Sequence, residues 1–339
     1  MAYILGESER KYIAGQIDEL KELLITLCGI PAPSNHEEKR AEFCKEWFEK
    51  AGGKGVYIDD ALNVICPVNV TEDNEVVIFM AHTDTVFPDT EPMPLYEEDG
   101  KLFCPGVGDD TANLAIMMMV ARYMLQSGKK PECGVLFVAN SCEEGLGNLK
   151  GSRQLMKDFG DRVREVISFD GGLRMLCNGA VGSTRYRIEI KTEGGHSYGS
   201  FGNRNAIHHL SSMINTLYTL KVPVDGDSRT TYNVGMISGG TSVNTIAQQA
   251  EMLYEYRSNS NACLEKMREM FESVISAYRS MGIEVNVEVL GQRPGMGECR
   301  DPERQEKLLE RAADILEAVT GNRPGRGSSS TDCNIPFSM

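Results

Sequence analysis

The stretch CGVLFVANSCEE, residues 133–144, carries an almost unbroken apolar run straight into two adjacent glutamates. A continuous run of this length reads as a strand covered on both faces, because a half-exposed strand would alternate. Two similar runs, EVVIFMA (75–81) and VREVISF (163–169), flank it in the chain, with helical patterns at 111–127 and about 148–158 between the three. Strands alternating with helices predict an α/β layer: a mixed, largely parallel sheet with helices on both faces. Ligands of such sheets bind beyond the carboxyl ends of the strands. Glu143 and Glu144 stand at one such end, where neighbouring carboxylates repel and resist burial. Either water solvates them, as for most surface Glu-Glu pairs, or a cation does.

At 339 residues the chain exceeds one typical core, and 41% hydrophobic with 25% charged residues is ordinary for a folded globular protein. The longest apolar helix pattern, AIMMMVARYML (115–125), is too short to span a bilayer, so no membrane association is expected. A net charge of −14, from 35 basic and 49 acidic residues, opposes nucleic-acid binding. The polar start MAYILGESERKYIAGQ has no secretory core, and the ten cysteines include no closely spaced pair. Reduced thiols and a cytoplasmic location are the expectation.

One helix is expected over 8–28, with Ile13, Ile17, Leu20, Leu24 and Leu27 on one face. GIPAPSNHEEKR (29–40) breaks it, and Ser34 or Asn35 is expected to cap a second helix ending at 51–53. Past residue 180 the pattern changes. STRYRIEIKT (183–192) alternates, a helix pattern covers about 204–220, and TTYNVGMIS (230–238) and QAEMLYEYRS (249–258) read as strands. A helix pattern at 262–281 then precedes GIEVNVEVL (282–290). The order β-α-β-β-α-β describes a ferredoxin-like α+β module over 181–293, inserted between 1–180 and 294–339. A helix at 302–319 and a glycine-serine loop, GNRPGRGSSSTDCN (321–334), follow.

Each of the three buried strands runs into possible metal ligands: His82 and Asp84 in AHTDTV, Glu143 and Glu144 in SCEE, and Asp170 in FDGG. Asp109 and Asp110 occupy a glycine-rich turn, CPGVGDDTAN, that opens a helix. Singly, each has an ordinary explanation: a structural histidine, a helix cap, a solvated pair. Together, several carboxylates on one rim would repel, at several kcal/mol each when desolvated, unless a cation joins them, roughly speaking. One imidazole with several carboxylates suits zinc, manganese or cobalt. Residues i and i+2 of an extended segment share a face, so Asp84 can support the second ring nitrogen of His82.

The motifs AHTDTV, GVGDDTA, CEEGLGNLKG, FDGG, GGHSYG and GGTSVN occur in an order that resembles the dinuclear zinc aminoacylase, carboxypeptidase G and peptidase T metallopeptidase family. The resemblance covers nearly the whole chain, and EEGLGNLKGSR is most similar to the peptidase T branch. It implies a zinc-peptidase α/β domain carrying an inserted dimerisation lid. It also implies two divalent metal ions, zinc first, with His82 and Asp170 on one, Asp109 bridging, and Glu144 on the other. A cis peptide would join Asp109 to Asp110. Glu143 would be the general base, with Asp84 supporting His82. His196 would be a transition-state donor reaching the partner subunit's site across a homodimer, whereas from the residues alone it is a surface histidine in a glycine-rich connection. Asn244 and Arg257 would hold substrate carboxylate or carbonyl groups, Arg257 having a strand-edge charge as its alternative. His36, His208 and His209 read as structural.

Thr111 replaces a lysine frequent two positions after the bridging aspartate. The family also carries a later strand, helix and histidine that complete the second metal site, and no histidine follows His209 here. The ending CNIPFSM is read as that of a truncated piece of an active enzyme. A naturally short chain with an under-coordinated metal at Glu144, or a non-catalytic homologue, are the alternatives. The expected function is an exopeptidase, tripeptidase- or aminopeptidase-like, acting on short peptides. An N-acyl amino acid deacylase and a non-catalytic metal-binding dimer are the competing readings.

Overall fold

The computed structural model describes residues 5–299 and 301–339. The first four residues of the N-terminal stretch discussed above lie outside that range. The chain divides into two compact units, one of Met1–Asn178, Glu298–Phe337 and Met339, the other of Gly179–Gly297 and Ser338. Among the described residues no helix is long and apolar enough to cross a membrane.

The first unit is built on a five-stranded sheet in the order Tyr57–Ile58, Val64–Val68, Gly134–Asn140, Val76–His82, Val163–Ser168. Val76–His82 runs parallel to both of its neighbours, while Val64–Val68 pairs antiparallel with Gly134–Asn140. Burial on both faces explains the unbroken apolar runs of Val76–His82 and Gly134–Asn140, whereas Val163–Ser168, expected to be covered as well, is a half-exposed edge strand. Val135, Phe137 and Ala139 pack with Leu23, Leu27, Phe48, Leu114 and Met118 from the helices Ile17–Cys28, Glu38–Lys50 and Ala112–Gln126. Leu136 and Val138 turn to the opposite face, where Leu155 of the helix Lys150–Phe159 covers them together with Ile78 and Met80.

Three local expectations are corrected. The helix expected over 8–28 is two, Glu7–Ala14 and Ile17–Cys28. Gly15 ends the first: its N–H closes onto the carbonyls of Lys11 and Tyr12, and glycine is a poor helix residue. Ile13 and Ile17 at the break remain exposed, Leu20 and Leu24 are half-buried, and of the expected stripe only Leu27 is fully buried, joined by Leu23 from outside it. Neither Ser34 nor Asn35 caps the next helix, which begins at Glu38 with no side-chain cap. The glycine-serine loop contains a strand, Gly325–Ser329, paired with Met175–Ala180, so its small residues serve an extended backbone.

The second unit is a four-stranded antiparallel sheet in the order Thr230–Gly239, Gln249–Ser258, Gly182–Lys191, Glu284–Arg293. With the helices Ala206–Thr219 and Asn261–Ser280 between strands, this is a βαββαβ arrangement. Alternate residues Tyr186, Ile188 and Ile190 face the two helices through Leu210, Met213, Phe271 and Ile275. Asn205 and Ser260 cap those helices, accepting N–H bonds from Ile207 and His208, and from Cys263.

Candidate active site

Register brings the site together. Asn140 lies beside His82, Met80 beside Ser168, and the N–H of Phe169 continues the pairing onto the Met80 carbonyl at 2.8 Å. The three parallel strands therefore release their next residues at one edge of the sheet: 83–85, 141–144 and 169–172. The Asp109 segment arrives from the start of the helix Ala112–Gln126, and the Asp109–Asp110 peptide is cis. Gly106, at φ +75°, brings this segment against the first strand's exit, where a Cβ would sit 2.6 Å from Thr85 Cγ2.

His82 is 1% exposed. Its Nε2 lies 3.2 Å from Asp109 Oδ1. Its Nδ1 lies 3.0 Å from the Asp84 carbonyl and 3.4 Å from Asp84 Oδ1, so the carbonyl is the nearer support. Asp84 is wholly buried and serves more than the histidine. Its Oδ1 accepts the N–H of Glu143 at 2.9 Å, and its Oδ2 accepts the N–H of Glu144 at 2.8 Å and the Ser34 hydroxyl at 2.6 Å. Asp84 thus supports the imidazole on one strand chiefly through its carbonyl, while its carboxylate holds the Glu-Glu backbone on the next. Asp110, also buried, accepts the His82 N–H at 3.1 Å and the Asn113 amide at 2.6 Å. Asn113 further donates to the Gly171 carbonyl beside Asp170.

The charges respond to this crowding. Burial alone would lower the pKa of His82, but hydrogen bonds to Asp109 and Asp84 outweigh it and hold the imidazole well above the usual histidine range. Asp109 is lowered, first by its bond to His82. Burial pushes Asp110 up to about 8. For Asp84 burial acts upward, yet the bonds from His82, Ser34 and Glu144 leave it below the usual carboxylate range.

Ligand atoms converge in two overlapping groups, His82 with Glu143 and Glu144, and His82 with Asp109 and Asp170, each within 4.8 Å of one another. One ring nitrogen among carboxylate oxygens is a donor set for divalent ions such as zinc or manganese. Either group offers a divalent ion one imidazole nitrogen and two carboxylates, Glu143, 5% exposed, belonging to the first on the same footing as Glu144.

The second unit holds the other candidates. Gly195–His196 pairs with Thr245–Ile246, and the Ser197 N–H bonds the Asn244 carbonyl at 2.9 Å, so His196 and Asn244 are neighbours. The His196 Nδ1 accepts the N–H groups of Tyr198 and Gly199, both at 3.3 Å, which leaves the ring proton on Nε2. The Asn244 side-chain oxygen accepts from the Ser242 hydroxyl. Arg257 is engaged with Glu255 through two 3.0 Å bonds. His208 and His209 lie on the helix Ala206–Thr219, and His36 is exposed next to the Glu38–Lys50 helix.

Sequence reasoning missed Ser34, Glu37 and Arg40. Ser34 and Glu37 look like helix-start residues, and only the fold shows them bonded to the strand ends. Arg40 is 2% exposed and donates to the carbonyls of Leu27, Ile30 and Thr83. It ties a helix end to the His82–Asp84 segment, and no local pattern announces a buried arginine satisfied by backbone. The glycines of GLGNLKG also have a structural reason. A Cβ on Gly147 would sit 2.6 Å from the Cys142 Cα, and one on Gly151 would sit 2.5 Å from the Ser141 carbonyl oxygen and 2.8 Å from its nitrogen. Gly151→Ala is expected to destabilise the fold by about 1–3 kcal/mol through overpacking against immobile backbone. Urea denaturation measures it, and an unchanged midpoint would show that the helix Lys150–Phe159 can back away.

A buried histidine is thus gathered with buried (Asp84, Glu143) and more exposed (Asp109, Asp170) carboxylates at the carboxyl ends of parallel strands. The description peptidase family M20/M25/M40 matches residues 78–330, and the chain belongs to that family of dinuclear metallopeptidases and related amidohydrolases. It is 26% identical to the uncharacterised protein YqjE of Bacillus subtilis, over 93% of this chain and 86% of that one. It is 25% identical to a succinyl-diaminopimelate desuccinylase of Corynebacterium glutamicum, over 80% of this chain and 75% of the relative. The solved structure of a Staphylococcus aureus tripeptidase shares the fold, with a TM-score of 0.73 at 23% identity, covering 93% of this chain and 86% of that one.

Proposed function

We propose that this enzyme is an exopeptidase that hydrolyses an amide bond of short peptides, with Glu143 as general base. The observation that carries the reading is the convergence of His82, Asp109, Glu143, Glu144 and Asp170 from separate strand ends and the 107–111 turn. His82 and Asp170 would hold one divalent ion, Glu144 the second, and Asp109 both. When bound, such ions supply Lewis acidity toward the carbonyl and a water whose pKa falls toward about 7; zinc is the first choice, with manganese or cobalt compatible.

The chain's own residues do the rest. Asp84 keeps His82 in the tautomer with its proton on Nδ1 and holds the backbone of Glu143 and Glu144. Glu143 takes the proton of the attacking water and delivers it to the departing amide nitrogen. His196, its proton on Nε2, donates to the carbonyl oxygen as negative charge develops there, from the partner subunit of a homodimer built through the second unit. Asn244 binds the substrate carbonyl or carboxylate, and Arg257 does so by exchanging Glu255 for substrate. Ten unpaired cysteines fit a reducing, cytoplasmic setting.

A second reading, hydrolysis of N-acyl amino acids by the same groups, is favoured by the similarity to a desuccinylase. Protein loaded with zinc, manganese or cobalt is expected to cleave tripeptides faster than N-acetyl or N-succinyl amino acids. A chelator should remove that activity and re-addition of metal restore it. Cleavage of acyl substrates alone would transfer the assignment to the second reading, and cleavage of neither by metal-replete protein would end both.

A further inference from the structure

Glu37 has no part in the reaction described above, yet its side chain is 0% exposed and no cation among the described residues pairs with it. Burying a carboxylate this way costs several kcal/mol, roughly, unless its oxygens are well used. An acid at a helix N-cap ordinarily accepts an N–H of its own helix. Glu37 stands at the N-cap of the helix Glu38–Lys50 and makes no such bond. Its Oε1 instead accepts the N–H of Cys142 at 3.0 Å, with the Cys142 thiol at 3.3 Å.

Cys142 is where the chain leaves the strand Gly134–Asn140 for Glu143, and its φ is +59°, a left-handed conformation that a side chain disfavours. The next two N–H groups, of Glu143 and Glu144, are the ones held by Asp84 at 2.9 and 2.8 Å. Three consecutive amides are therefore each held by a carboxylate oxygen from another element. Those bonds set the peptide planes from which the Glu143 and Glu144 side chains depart.

We propose that Glu37 is a positioning residue: by holding the Cys142 amide in its left-handed turn it completes a three-amide clamp, shared with Asp84, that aims the Glu143 carboxylate at the scissile amide. This rests on the role given to Glu143 under the proposed function. Because the clamp needs an acceptor oxygen and not a negative charge, the neutral glutamine should preserve it and alanine should not.

Glu37→Ala is expected to lower kcat on a tripeptide by about 10–100-fold with KM nearly unchanged, as small misplacements of reacting groups do. Glu37→Gln should recover most of that loss. Hydrogen–deuterium exchange on metal-free protein reads the clamp without turnover: Cys142–Glu144 amides should exchange about tenfold faster in Glu37→Ala and near the wild-type rate in Glu37→Gln. Should the alanine variant not fold, Glu37→Asp, one methylene short of Cys142, replaces it with the same expectations. Wild-type kcat and wild-type protection in the alanine or aspartate variant would overturn the proposal, as would a glutamine variant no better than alanine. Wild-type protein inert toward every amide substrate would sink the functional reading instead, and the exchange rates would still decide the clamp.

Discussion

Glu143→Gln is expected to lower kcat by about 10²–10⁴-fold, the range for loss of a positioned general base. Metal content and thermal midpoint should stay near those of the wild type. Glutamine keeps the size of a side chain that is 5% exposed and leaves the backbone N–H bond to Asp84 in place. What it loses is the ability to take a proton from water. Other acids nearby are poor substitutes. Asp110 is buried and already accepts from the His82 N–H and from Asn113. Asp84 spends both oxygens on backbone amides and on Ser34. Steady-state kinetics on a tripeptide, with elemental analysis of the same preparation, is the measurement. A kcat within about tenfold of wild type would remove Glu143 from the role of base.

Asp84→Ala is expected to damage folding and turnover together. Two backbone N–H groups and one hydroxyl would lose their acceptor in a buried place, at about 1–3 kcal/mol for each group left unsatisfied. His82 would also lose the carboxylate behind its Nδ1. Asp84→Asn should be intermediate and still clearly impaired. Asp84 Oδ1 faces one backbone N–H and Oδ2 the other. Whichever way an asparagine turns, its NH₂ meets a donor. Denaturant midpoints and kcat for the two variants test this. An asparagine variant equal to wild type in both would mean that the amides of Glu143 and Glu144 do not depend on this carboxylate.

Much of the first unit is readable along the chain because covered parallel strands need continuous apolar runs, and 75–81 and 133–140 have them; 163–169, interrupted by Arg164 and Glu165, is a half-exposed strand at the sheet edge. The second unit is readable because its strands alternate and its helices carry a 3.6-residue stripe. Misreadings arose where two local devices share one spelling. Ser34 looks like a cap and is a tether to Asp84. Gly15 interrupts a hydrophobic stripe that periodicity alone continues. Residues 325–329 have a loop's composition and pair as a strand because their partner, Met175–Ala180, supplies the other half of the ladder.

Periodicity, glycine placement and the acids after each apolar run specify which elements form and which residues lie at their ends, since these depend on a few neighbouring side chains. They do not specify that Asp84 holds the amides of Glu143 and Glu144, that Glu37 holds Cys142, or that Arg40 closes three carbonyls. Such bonds join residues far apart in the chain, and their geometry exists only once sheet register and helix packing have brought the partners within hydrogen-bond reach.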